Sequence, residues 1–245
     1  SDMLLILGCM VFARSAAMAF NRYIDSDIDK LNERTKNREI PAGMLSKSKV
    51  LLFVILNAIG FIVCAGLLNT LCLWLSPIAL LVILGYSYTK RFTWLCHFIL
   101  GLGLSLAPIG AYIAVTEKFD LLPILFSFAV LTWVSGFDII YALQDAEFDK
   151  SNRLFSIPAF IGKPKALQLA SMLHFITALS IFYAGVYGNL GLWYWLGAGF
   201  FTGMLIYQHT LVRPDDLSKV NLAFFTTNGA ASVVFGVFVI IDLLN

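Results

Sequence analysis

The stretch "NRYIDSDIDK", residues 21–30, sets Asn21, Asp25, Asp27 and Asp29 at the end of a long apolar run. Carboxylates are rare where lipid is near, and those that occur there pair with a partner or carry a function. Asn21, Asp25 and Asp29 are spaced four apart. On a helix continuing the apolar run they share one face, and Asp27 points away from it. The rest of the chain decides whether lipid is near. Of its 245 residues, 59% are hydrophobic and 13% charged, against roughly 45–50% and about 25% in soluble domains. This is the composition of a membrane-embedded, all-α protein, and it argues against a soluble domain and against nucleic acid as a partner.

A helix crossing the hydrocarbon core needs about 20 mostly apolar residues. By that rule the sequence predicts eight spans, near 3–22, 48–68, 71–88, 94–116, 121–144, 165–187, 191–209 and 221–243. Asn69-Thr70, Gly188-Asn189 and Pro214-Asp215-Asp216 are the breakers between them. Pro77 and Pro108 fall inside spans, where neighbouring helices can satisfy the freed carbonyls. With eight spans, fifteen of the seventeen Lys and Arg residues fall in loops on one side; Lys118 is opposite and Arg14 lies within a span. The positive-inside rule assigns the basic loops to the cytoplasm. The first apolar run leads straight into the polar cluster and does not read as a cleaved signal. Cys9, Cys64, Cys72 and Cys96 lack metal-ligand spacing and read as small core residues. His97, His174 and His209 read as interfacial side chains.

A second acidic cluster, "DIIYALQDAEFDK", spans Asp138 to Lys150 on the same predicted side. Asp145 and Asp149 repeat the spacing of four, and Asp138, Tyr141 and Asp145 are expected to continue along one helix face. Both clusters are followed by cations: Arg34, Lys36 and Arg38, then Lys150 and Arg153. Two pairs of carboxylates are too negative to stand together without a divalent cation. Mg²⁺ prefers oxygen and typically combines one or two carboxylates with substrate phosphates. Arg and Lys suit the remaining phosphate oxygens. The pattern predicts a Mg²⁺-bridged diphosphate at the mouth of an apolar bundle, a site suited to a lipid diphosphate. A cation transporter is the alternative from another class, although such sites usually lie at the bilayer midplane. A non-catalytic scaffold is a third, against which the intact Asp motifs argue.

Taken together, these motifs resemble the UbiA superfamily of intramembrane prenyltransferases. The first family motif is matched by Asn21, Asp25 and Asp29 with "RTKNREIP" downstream, the second by Asp145 and Asp149, and a Y-x-x-x-K element by Tyr86 and Lys90. "ARSAAMAFNR", residues 13–22, is similar to the 4-hydroxybenzoate polyprenyltransferase-like branch, with Arg22 where many members have Asp. That branch includes enzymes of the futalosine route to menaquinone. The resemblance covers nearly the whole chain and implies one transmembrane domain, residues 1–245, around a central cavity. The family has nine helices, so the first is expected to be absent from this sequence. The implied activity is Mg²⁺-dependent transfer of a polyprenyl group from an allylic diphosphate to an aromatic acceptor such as 4-hydroxybenzoate, in quinone biosynthesis. Other acceptors in view are a futalosine-route aromatic, a lipid headgroup, haem and chlorophyllide. On this reading Asn21, Asp25, Asp29, Asp145 and Asp149 hold Mg²⁺, and Arg34, Arg38, Lys90 and Arg153 hold the diphosphate. Tyr86 or Tyr141 steadies the carbocation. Asp138 or a phosphate oxygen takes the ring proton. Arg14 binds an acceptor carboxylate or pairs with a buried Asp.

Overall fold

The computed structural model describes residues 2–245, and all the regular structure among them is helical. Seven segments are long and apolar enough to cross a membrane: Asp2–Asp29, Lys47–Leu68, Thr70–Thr89, Cys96–Thr116, Leu121–Ser151, Lys163–Tyr187 and Leu222–Leu244. The seventh predicted span, 191–209, forms the 20-residue helix Leu192–Leu211 and lies outside that set. The protein is a multi-pass integral membrane protein. The surface of its helices agrees: Leu52, Ile55, Leu56, Ile59, Val63 and Leu67 form an exposed stripe on one helix with no polar residue among them. Water would oppose such a stripe and lipid accepts it.

We number the helices α1 (Asp2–Asp29), α2 (Lys47–Leu68), α3 (Thr70–Thr89), α4 (Cys96–Thr116) and α5 (Leu121–Ala142). There follow α6 (Ala146–Ser151), α7 (Ile157–Ile161), α8 (Lys163–Tyr187), α9 (Leu192–Leu211) and α10 (Asn228–Leu244). The chain divides into two compact units, Ser1–Phe92 with Leu106–Phe119, and Thr93–Ser105 with Asp120–Asn245. Pro77 and Pro108 sit inside α3 and α4, which continue past them.

In the first unit α1 packs against α2 and α3. The crossing of α1 and α2 is close because Gly60 has no side chain: a Cβ there would lie 3.0 Å from the Phe12 ring, the small-residue packing that membrane helices favour. Asn69, read as a breaker, is also a clamp. Its side chain accepts from Cys72 N–H at 2.8 Å, capping α3, and donates to the carbonyls of Ile113 and Ala114 at 3.0 and 3.1 Å.

The second unit is built on α5 against α8 and on α9 against α10. The first half of α4 presses on α5 at Gly101, where a Cβ would come within 2.6 Å of the Leu131 carbonyl. Asp242 near the end of α10 accepts from the backbone N–H groups of Gly191 and Tyr194 at 2.7 and 3.2 Å, satisfying the open start of α9. A core of Ile139, Ile140, Leu143, Ile157, Ala166 and Ala170 lies directly beneath the second acidic cluster.

The histidines correct the sequence reading. His97 and His174 are buried rather than interfacial, because each finds polar partners inside the second unit. His174 Nδ1 meets His209 Nε2 at 2.9 Å, and its Nε2 lies 3.2 Å from the Trp133 carbonyl oxygen. The cysteines are free, with Cys96 buried and the others half-buried.

Candidate functional site

The first motif lies where the sequence puts it, on the last two turns of α1. Ser26 is buried on the same turn, Asp29 is buried, Asn21 and Asp25 are half-buried, and Asp27 is exposed. The helix stays α-helical through Asp29, so the spacing of four holds the three polar groups on one face. Asn21 Nδ2 donates to Asp25 Oδ2 at 2.9 Å. Asp25 Oδ1 lies 3.0 Å from Arg91 Nη1. Asp29 receives Arg38 Nη1 at 2.8 and 2.9 Å on its two oxygens. Asp27 pairs instead with Lys47 at 3.0 Å.

Arg38 is brought back to Asp29 by the segment after α1, which folds as a run of tight turns. Thr35 N–H donates to the Asn32 carbonyl at 2.9 Å, and Arg38 N–H to the Thr35 carbonyl at 3.0 Å. Thr35 Oγ1 donates to the Asp29 carbonyl at 3.2 Å, tying the turn to the helix end. Buried Thr35 and Ile40 anchor it, while Arg34 stays exposed. Arg22, at the departure from the family pattern, reaches toward the same segment, 4.0 Å from Glu39.

Arg91 is a site residue that the sequence reading passed over in favour of its neighbour Lys90. Lys90 closes α3 and is half-buried, as is Tyr86 one turn earlier. Arg91 Nη1 lies against Asp25, and Arg91 also donates to the carbonyls of Ser87 at 3.1 Å and Ile24 at 2.9 Å. The signal was present in "YSYTKR": a cation just past a helix end is well placed to bond its open carbonyls.

Arg14 stands on an exposed face of α1 shared with Leu7, Val11 and Met18. No hydrogen bond or ion pair joins it to the described residues, so the pairing with a buried Asp offered by the sequence is not found.

The second motif departs from the sequence expectation in its backbone. Helix α5 ends at Ala142, and a 3₁₀ turn, Leu143–Asp145, precedes α6. Three residues at the tighter 3₁₀ winding turn Asp145 about 60° from the position that an unbroken α-helix would give it. Asp138, Tyr141 and Asp145 therefore do not run along one continuous α-helical face. Asp145 and Asp149 are buried, at 7% and 0% exposure, and Asp149 sits on α6. Arg153, just beyond, is exposed with φ +56°.

Asp138 is held by His97, which the sequence reads as interfacial rather than as part of the site. Its Oδ2 lies 2.7 Å from His97 Nδ1. Ile157 N–H donates to His97 Nε2 at 3.2 Å. A backbone N–H can only donate, so Nε2 is the bare nitrogen and Nδ1 carries the proton toward Asp138. The ring thus ties α4, α5 and the start of α7 together. Tyr141 stacks on Phe224 with centroids 4.1 Å apart, in an aromatic cluster with Phe137 and Phe225. Phe224 and Phe225 belong to a π-helical turn, Leu222–Thr227, a feature found often at functional sites.

Among the described residues no group of three or more His, Cys, Asp or Glu side chains could hold a metal ion alone. The donors nevertheless suit Mg²⁺, which is seldom caged by protein and draws ligands from substrate phosphates. Asp25 and Asp29 are one helical turn apart, and both are already held by cationic groups where a metal ion would otherwise balance them.

The family model of the UbiA prenyltransferase family matches residues 1–229. The 4-hydroxybenzoate octaprenyltransferase of Nitrosomonas eutropha is 32% identical over 94% of this chain and 80% of that protein. Its counterpart from Tolumonas auensis is 31% identical over 96% and 82%. Among solved structures, an apo UbiA homolog from Aeropyrum pernix is 31% identical with a TM-score of 0.92, covering 99% of this chain and 90% of that one. A UbiA homolog from Archaeoglobus fulgidus bound to DMAPP and Mg²⁺ shares the fold at TM-score 0.67 and 19% identity, over 96% and 88%.

Proposed function

The chain belongs to the UbiA prenyltransferase family, so it is a transferase built for prenyl transfer, and from that premise we propose its donor and acceptor. The donor is a polyprenyl diphosphate bound with Mg²⁺, and the acceptor is a carboxylated aromatic ring of the 4-hydroxybenzoate kind, as in quinone biosynthesis. The observation that carries the acceptor is Arg14, a cation within a span that no described residue neutralises. An unpaired Arg in lipid is costly, and a planar carboxylate is the ligand that its guanidinium fits best. The names of the relatives from Nitrosomonas and Tolumonas point to the same acceptor.

The residues of the two motifs divide the work. Asn21, Asp25 and Asp29, with Asp145 and Asp149, supply oxygens for the metal. Mg²⁺, when bound, neutralises the diphosphate and makes it a better leaving group from the allylic carbon. Arg34, Arg38, Lys90 and Arg153 meet the remaining diphosphate oxygens. Tyr86 and Tyr141 offer π density to the developing carbocation. The acceptor ring attacks that carbon, and the ring proton leaves to Asp138, whose Oδ2 is occupied by His97 and whose Oδ1 stays open. The basic loops face the cytoplasm on this reading, which brings a soluble acceptor to the site. With the family established, the transporter reading is set aside.

The test is prenyl transfer by purified protein in liposomes, with geranyl diphosphate and 4-hydroxybenzoate, with and without Mg²⁺. Product is expected only with Mg²⁺, and Asp25→Ala and Asp145→Ala should each lose about 10²–10³-fold in kcat. Arg14→Ala should raise KM for the acceptor by about tenfold or more and leave KM for the donor unchanged. Turnover of acceptors without a carboxylate at wild-type efficiency, unaffected by Arg14→Ala, would overturn the acceptor assignment.

A further inference from the structure

Arg38 and Arg91 both neutralise a carboxylate of the first motif, by different means. Arg91 is fixed at three points: Asp25 Oδ1 at 3.0 Å, the Ser87 carbonyl at 3.1 Å and the Ile24 carbonyl at 2.9 Å. Two of these are backbone carbonyls, so its guanidinium keeps its place whatever Asp25 does. The Arg38 guanidinium bonds only to Asp29 among the described residues, with Nη1 2.8 and 2.9 Å from the two oxygens. That single nitrogen fills the notch between the oxygens, where a chelated cation would sit. Asp29 is buried at 7% side-chain exposure, whereas the Arg38 side chain is 26% exposed. The arginine thus covers the carboxylate from the solvent side. Its backbone is held independently, N–H to the Thr35 carbonyl at 3.0 Å and carbonyl to Ala42 N–H at 2.9 Å. The side chain can rotate away without unfolding the segment.

We propose that Arg38 is a latch on Asp29 that admits a divalent cation only together with a diphosphate. The inference rests on the functional reading above, in which this motif takes a metal-bound diphosphate. A metal ion arriving alone must displace Arg38 into water, and the arginine loses a charge-assisted hydrogen bond with nothing in exchange. A metal ion arriving with a diphosphate brings new acceptors for the same guanidinium, so Arg38 moves from carboxylate to phosphate at little net cost. Metal and diphosphate binding are therefore positively coupled, and the coupling is reciprocal. Arg91, locked to two carbonyls, takes no part in the exchange and serves only to orient Asp25. The membrane site stays neutral and closed to stray cations until donor arrives.

The proposal is tested on purified full-length protein in detergent. Mn²⁺, a probe for oxygen-ligand sites, is titrated by EPR with and without inorganic pyrophosphate, for wild type, Arg38→Gln, Arg38→Lys and Arg91→Gln. Wild type should bind Mn²⁺ weakly alone and tightly with pyrophosphate. Arg38→Gln should bind Mn²⁺ alone about tenfold more tightly, the worth of one released charged hydrogen bond. The same variant should bind the Mn²⁺–pyrophosphate pair less tightly than wild type. The shorter Arg38→Lys should fall between, and it carries the test if the glutamine variant does not fold. Arg91→Gln should not strengthen binding of Mn²⁺ alone. Gains in Mn²⁺-only affinity absent from both Arg38 variants, or equal in Arg91→Gln, would overturn the latch. If wild type binds no metal even with pyrophosphate or a prenyl diphosphate, the functional reading itself falls, which is a separate result.

Discussion

The two acidic motifs share the spacing D-x-x-x-D and are stabilised in different ways. The first runs along an unbroken helix in one unit, and its carboxylates are answered by side-chain cations, Arg91 on Asp25 and Arg38 on Asp29. The second straddles a 3₁₀ turn over a packed core in the other unit, with Asp145 and Asp149 buried. Its upstream acid Asp138 is fixed by a neutral histidine and, through that ring, by a backbone N–H. Equal spacing does not impose equal local physics. A cation bonded to its carboxylate alone, as Arg38 is to Asp29, is a partner that can be exchanged, whereas a buried ring bonded at both nitrogens is a fixed strut. The first motif is thus the adjustable half of the machinery and the second the rigid half.

Removing the strut should produce the largest effect on stability. His97→Ala leaves the Ile157 N–H and the Asp138 carboxylate without their partner and opens a gap among α4, α5 and α7. The expected loss is about 3 kcal/mol, from two unsatisfied groups and a void, read as a lower thermal midpoint in detergent. His97→Gln can donate to Asp138 and accept from Ile157, so it should recover part of that loss. If His97→Ala unfolds at the wild-type temperature, the second motif is no more rigid than the first.

Much of this division was legible in the sequence, for identifiable reasons. Composition and the placement of cations specify a helical membrane protein, and spacings of four place Asn21, Asp25 and Asp29 on one face while excluding Asp27. These are one-dimensional periodicities, which a single chain displays openly. The 3₁₀ turn was not legible, because "ALQDAE" is good α-helix sequence with no residue that breaks a helix. His97 was missed because its partners lie 41 and 60 residues away. Arg91 was missed because two adjacent cations look alike in sequence, and its ion pair with Asp25 joins residues 66 apart.

A smaller effect should come from the hinge of the adjustable half. Thr35→Val keeps the buried shape but deletes the bond from Oγ1 to the Asp29 carbonyl. About 1 kcal/mol should be lost. The segment that carries Arg38 should loosen, so amide exchange across residues 31–38 should rise while exchange in α5 stays unchanged. A rise in both units together would mean that the two halves are not separable in this way.

The smallest effect is expected at Asp27, and it tests the geometry on which the first motif rests. Asp27 lies between Asp25 and Asp29 in sequence, yet its side chain is 74% exposed and pairs with Lys47 and Lys30 on another face. Exposed ion pairs of this kind contribute little, because water and salt already screen them. Asp27→Asn should therefore leave Mg²⁺ dependence, donor KM and thermal midpoint at wild-type values, under conditions where Asp25→Ala loses activity. A negative charge merely somewhere near the helix end would make the three aspartates interchangeable, and Asp27→Asn would then weaken donor binding. An unchanged donor KM says that the face, and not the local density of charge, is what binds.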